Sequence, residues 1–143
     1  MTTAMVCVDA SFIVRFLTNA SPNSIYQEKW DEWETQGYTI VAPTLLIYEI
    51  CNAFHRAVVA QQITPQEGEK LLERAVNLGV RFYGDTQLHQ QAFQIAQRYS
   101  LSATYDAHYL ALTERLSIEL WTTDKRLFNA VKSSLSWVKF LGG

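Results

Sequence analysis

The sequence predicts an α/β domain on a central, mainly parallel five-stranded sheet flanked by helices, in which an order 3-2-1-4-5 would place strands 1 and 4 side by side. Three observations carry this. Short apolar runs such as Met5-Val6-Cys7-Val8 and Tyr38-Thr39-Ile40-Val41 suit strands buried on both faces. Segments of helical periodicity separate them. Helix start and stop residues stand at the joints, as in Thr64-Pro65-Gln66-Glu67 and at Gly37 and Gly79. A chain of 143 residues with 48% hydrophobic and 18% charged residues can bury a core, which excludes intrinsic disorder and predicts a single domain over 1–143.

Each element follows in order. Met5–Val8 is strand 1, and residues 11–18 form a helix with apolar Phe12, Ile13, Phe16 and Leu17. Pro22 is expected to open a helix over 24–35, which carries Tyr26, Trp30 and Trp33 on one stripe and stops at Gly37. Residues 38–41 are strand 2, and Pro43-Thr44 open a long helix over 45–62. The capping box at Thr64 starts a helix to about Leu78, followed by strand 3 at 80–83. Asp85 or Thr86 caps a helix to Tyr99, and another spans 105–115. Residues 118–121 are strand 4, 125–131 a short helix and 137–140 strand 5.

Composition narrows function. Twelve Lys+Arg against fourteen Asp+Glu give a net charge of -2, so nucleic-acid binding would need a local site rather than an overall basic surface. No run reaches about 18 apolar residues, and Asp9 interrupts the apolar N-terminus, which lacks a basic lead. A cytoplasmic protein with a mature N-terminus and no membrane segment is the expectation. Cys7 and Cys51 lie in apolar runs and are expected to be buried free thiols. His55, His89 and His108 have no zinc-ligand spacing, and there is no G-x-S-x-G, P-loop or G-x-G-x-x-G. His55 fits a solvated helix face, and Trp30 and Trp33 fit core or partner contacts.

Four acids do not fit a bland core. Asp9 follows strand 1, where open parallel sheets place ligands, although a helix cap would also explain it. Glu49 sits in a helix apolar almost all round, where a charge is costly unless it is paired or bound to a cation. Asn52 and Arg56 share its polar stripe. Asp106 opens a helix, where the dipole favours an acid, and Asp124 follows strand 4 as a cap or a ligand. If strands 1 and 4 are neighbours, all four can face one cleft. Carboxylates about 4 Å apart repel by roughly 4 kcal/mol per pair at an effective dielectric of 20. Hard divalent cations are the usual reason to tolerate that, and carboxylates suit Mg²⁺ or Mn²⁺. Ser11 can hydrogen-bond Asp9, while Arg15, Arg56, Lys125 and Arg126 are candidate phosphate contacts.

The motifs Val8-Asp9-Ala10-Ser11, Glu49-Ile50-Cys51-Asn52-Ala53, Tyr105 to Leu112 and Leu120 to Leu127 resemble, in order and spacing, those of PIN domains of the VapC-like toxin type. The resemblance implies a three-layer α/β fold and an acidic quartet of Asp9, Glu49, Asp106 and Asp124, with Ser11 and Thr122 as polar neighbours. It also implies Mg²⁺- or Mn²⁺-dependent endoribonuclease activity on RNA, a small cognate antitoxin and a homodimer. An inhibitor could place an Arg in the acidic cleft or cover helices near Trp30 and Trp33. Two other classes stand beside this reading. One is a PIN-like RNA- or protein-binding module without turnover. The other is a phosphoryl-accepting domain with Asp9 as acceptor, disfavoured by Ser11 where a phosphatase places a second acid.

Overall fold

The computed structural model describes residues 4–19 and 21–142, so the first three residues of the apolar N-terminus lie outside the described residues. The elements are β1 (Met5–Val8), α1 (Ala10–Thr18), α2 (Ile25–Thr35), β2 (Thr39–Pro43), α3 (Leu45–Val59), α4 (Pro65–Val76), β3 (Arg81–Tyr83), α5 (Thr86–Arg98), α6 (Tyr105–Leu116), β4 (Leu120–Thr122), α7 (Lys125–Val131) and β5 (Val138–Phe140). The sheet is parallel throughout, in the expected order β3-β2-β1-β4-β5. Strand order reverses beside β1, and the register Cys7↔Leu120, Val8↔Trp121 brings the ends of β1 and β4 level. Helices α1 to α4 pack among themselves, whereas α5 packs on α6 and α6 lies on β1, β2 and β4. Right-handed crossovers put these two groups on opposite faces of the sheet.

The core sits on β1 and around it. Val6, Cys7 and Val8 are buried, as are Phe12, Ile13, Phe16 and Leu17 on the inner side of α1. Trp30 and Trp33 complete this layer: Trp30 stacks on Phe16 with ring centroids 4.6 Å apart, and Trp33 lies 5.4 Å from Phe12 and 5.9 Å from Trp121. Both tryptophans are buried, so the surface near them does not offer their rings to a partner.

Three local expectations need correction. Pro22 does not open α2; Ser24 caps it, accepting from the backbone N–H groups of Tyr26 and Gln27, and Pro22 lies in the preceding turn. Cys51 is exposed, because only Leu46, Ile50 and Phe54 of α3 are buried and its outer face carries Tyr48 and Val59 in solvent. β4 runs two residues later than the apolar run suggests. Ile118 donates its N–H to the Thr113 carbonyl and so closes the end of α6 instead of joining the sheet.

The capping box at Thr64 is present, with Glu67 reaching back to the Thr64 N–H. Gly37 ends α2 at φ +75°, donating to the Glu34 carbonyl while Tyr38 donates to that of Trp33. A Cβ at Gly37 would meet nothing within 4 Å, so only the left-handed backbone demands glycine. Gly37→Ala should cost about 1 kcal/mol in denaturant unfolding. An unchanged midpoint would show that this turn is not held in that conformation in solution.

Candidate active site

Asp9 stands one residue past β1 and is 5% exposed. Its Oδ1 accepts from the Ser11 hydroxyl at 2.6 Å and from the Phe12 N–H at 3.0 Å, the second bond capping α1. Its Oδ2 accepts from the Thr122 hydroxyl at the end of β4. Each hydroxyl spends its one proton on Asp9 and turns a lone pair to the backbone. Ser11 Oγ accepts from the Thr123 N–H at 3.1 Å, and Thr122 Oγ1 from the Asp124 N–H at 3.0 Å. The tips of β1 and β4 are thus tied together through one carboxylate. Burial pushes the Asp9 carboxyl up to about 6, against the pull of its three hydrogen bonds and with a smaller push from Asp106.

Glu49 is half-buried in α3, and the Tyr109 hydroxyl of α6 donates to its Oε1 at 2.6 Å. Burial raises the Glu49 carboxyl, Tyr109 draws it back, and the charge of Asp106 raises it further. Asp106 is in the first turn of α6. Its own carboxyl is raised by burial and then by Asp124, while Arg126 opposes both. Asp124 caps α7, accepting from the N–H groups of Arg126 and Leu127. Asp106 therefore lies within electrostatic reach of the other three acids.

One cleft of about 990 Å³ is lined by Asp9, Glu49, Asp106 and Asp124 together. Ser11, Arg15, Arg56, Lys125 and Arg126 also line it. Of the other expected polar neighbours, Thr122 does stand beside Asp9, whereas Asn52, three residues after Glu49 on α3, is exposed and does not line the cleft. Thr122 is fully buried behind Asp9 and acts through it.

Two residues were missed by sequence reasoning. Tyr109 lines the cleft and holds Glu49; its place three residues after Asp106, on the same face of α6, was the available signal. Thr123 also lines the cleft, and its Oγ1 is buried with no hydrogen-bond partner among the described residues.

A cleft with four carboxylates and no His or Cys on its walls fits a hard divalent cation in donor chemistry. The orphaned Thr123 hydroxyl fits a polar occupant as well. Among the described residues no three His, Cys, Asp or Glu side chains are gathered into a preformed cage.

The PIN domain family model matches residues 6–133. Ribonuclease VapC12 of Mycobacterium tuberculosis is 28% identical over 123 residues, covering 86% of this chain and 89% of that protein. Among solved structures, VapBC2 from Rickettsia felis bound to a DNA fragment from their promoter superposes with a TM-score of 0.73 at 7% identity, covering 96% of this chain and 99% of the other. A toxin–antitoxin complex from Klebsiella pneumoniae gives 0.57 at 16% identity, covering 93% and 94%. At these identities the two structures speak to the fold.

Asp9 yields a pH-dependent outcome. Its folded value of about 6 lies above the ordinary 3.8, so its stabilising effect is full below about pH 4 and is lost as pH rises through 6. At neutral pH the ionised carboxylate costs the metal-free fold about 3 kcal/mol. Asp9→Asn should therefore melt about 9 °C higher than the wild type at pH 7.5 in EDTA, with the gap closing towards pH 4. A gap that widens in acid would contradict the burial of this charge.

Proposed function

The chain belongs to the PIN-domain family, and from that premise we propose that it is a Mg²⁺- or Mn²⁺-dependent endoribonuclease, the toxin of a toxin–antitoxin pair. One observation carries the reading: four carboxylates from four separate segments line a single cleft that also receives four cations. The similarity to ribonuclease VapC12 over most of both chains supports RNA as the substrate.

Asp9, Glu49, Asp106 and Asp124 would hold the cation. Bound there, a divalent ion supplies Lewis-acid charge for phosphodiester hydrolysis and makes water a stronger nucleophile near neutral pH. The protein's own groups do the rest. Ser11 and Thr122 hold both oxygens of Asp9 in one orientation. Tyr109 fixes Glu49 through Oε1, leaving Oε2 with no protein hydrogen bond among the described residues and open to a cation or a proton. Arg15, Arg56, Lys125 and Arg126 provide positive charge for the phosphates on either side of the cut.

A small antitoxin chain would inhibit by placing a cation in this acidic cleft. Covering the helices near Trp30 and Trp33 would have to use their outer side chains, since both rings are buried. Residues 1–143 would act as one domain, in the cytoplasm and as a homodimer. No helix among the described residues is long and apolar enough to cross a membrane.

The absence of a preformed three-ligand cage among the described residues favours one second reading, a PIN-like module that binds RNA or protein without cutting. A cleavage assay separates the two. On mixed tRNA and ribosomal RNA, the wild type should cleave in Mg²⁺ or Mn²⁺ and not in EDTA, and Asp9→Asn should lose at least 100-fold, an order-of-magnitude expectation for a cation ligand. Cleavage retained in Asp9→Asn would refute the site. Cation binding without cleavage of any RNA would establish the second reading.

A further inference from the structure

We propose that the nucleotide flanking the cut is bound in a second groove, formed by β4, α7 and β5, so that single-stranded RNA crosses from the acidic cleft over Phe140 into this groove. The inference rests on the ribonuclease reading and extends it to how the strand is held.

The net charge of -2 conceals an uneven distribution. Residues 125–143 hold Lys125, Arg126, Lys132 and Lys139 and no Asp or Glu, so this stretch carries +4 and residues 1–124 carry -6. None of those four cations forms a salt bridge among the described residues. Lys125 and Arg126 line the acidic cleft. Lys132 and Lys139 line the separate groove of about 470 Å³, which has no acid on its walls.

The two concavities share one wall. Phe140 lines both, and in the groove it is joined by Phe128, whose ring centroid lies 5.6 Å away at 37°. Both rings are partly exposed. Trp121 also lines the groove, paired with Lys139 across β4 and β5 so that these two side chains share the sheet face opposite that of Phe140; its indole N–H donates to Glu119 and the Lys29 ammonium lies 4.3 Å from its ring.

Partly exposed aromatic rings and lysines without salt bridges along one groove at the sheet's edge strand supply what an unstacked base and its phosphates require: π-faces for the base and cations for the backbone. Because Phe140 lines both concavities, a strand leaving the acidic cleft can continue past this ring into the groove. A second copy of the chain or a protein partner would have no need of an acid-free strip running into a catalytic cleft.

The test uses a fluorescein-labelled single-stranded RNA of mixed sequence, with anisotropy read in Mg²⁺ on the full chain carrying Asp9→Asn so that the RNA stays intact. Adding Lys132→Ala and Lys139→Ala should weaken binding about tenfold near 0.1 M salt and lower the slope of log affinity against log salt by about 1.4, two single-strand phosphate contacts. Adding Phe140→Leu should weaken binding about tenfold and leave the slope unchanged. Lys70→Ala with Arg74→Ala, on the remote α4, should change neither. The lysine pair keeps the test decisive if Phe140→Leu fails to fold.

Affinity and slope unchanged in the lysine pair, in a chain that still cleaves RNA when Asp9 is intact, would overturn the groove and leave the ribonuclease standing. Loss of self-association in the lysine pair without loss of RNA affinity would assign the groove to a second copy and also overturn it. If the Asp9-intact chain neither binds nor cleaves RNA, the groove falls because the ribonuclease reading has fallen.

Discussion

Asp9 is a carboxylate buried where two neighbouring parallel strands end, and the geometry of the cleft depends on how it is accommodated. Removing a charge from water costs several kcal/mol unless hydrogen bonds replace the lost hydration. The replacements come from three places in the chain: the Ser11 hydroxyl, the Phe12 N–H and the Thr122 hydroxyl. Thr122 reaches Asp9 only because β1 and β4 are adjacent and aligned at Val8↔Trp121. A register slip of one residue would turn Thr122 to the other face and leave Asp9 unsatisfied. The reversal of strand order at β1 is therefore both a feature of topology and the condition for a stable Asp9.

The other acids are supported by the helices they start. Asp9 caps α1, Asp124 caps α7 and Asp106 lies in the first turn of α6. The N-terminal dipole of each helix favours negative charge and offsets part of the repulsion that the acids exert on one another. Glu49 has no such terminus, being five residues into α3, and relies on Tyr109. The choice between a helix cap and a functional acid at Asp9 and Asp124 thus dissolves, because each carboxylate caps its helix and faces the cleft.

Much of this was legible in the sequence for identifiable reasons. A parallel α/β sheet follows from short apolar runs separated by helices, since parallel neighbours need crossovers, while the order of its strands is what the likeness to PIN domains implied. The four acids were legible because a charge beside an apolar run needs a reason. What escaped the sequence is what depends on tertiary neighbours. Ile118 looks like strand but closes α6, because its N–H meets the Thr113 carbonyl first. Cys51 and Tyr48 look like core, but among the described residues no element covers the outer side of α3. Tyr109 reads as a packing aromatic until α3 brings Glu49 to its hydroxyl. Asn52 shares a helical stripe with Glu49 in projection, yet the cleft does not extend to it.

The four carboxylates would act as one cation-holding unit although they are not gathered in advance. Asp106 would couple them, since its charge reaches Asp9 and Glu49 and is itself reached by Asp124. The direct measurement is Mn²⁺ binding by electron paramagnetic resonance on the wild type and on Asp106→Asn. The account predicts Mn²⁺ bound by the wild type and at least a tenfold loss of affinity in the variant, an order-of-magnitude effect for one carboxylate ligand. Equal Mn²⁺ affinity in the two proteins, or none in the wild type, would contradict it.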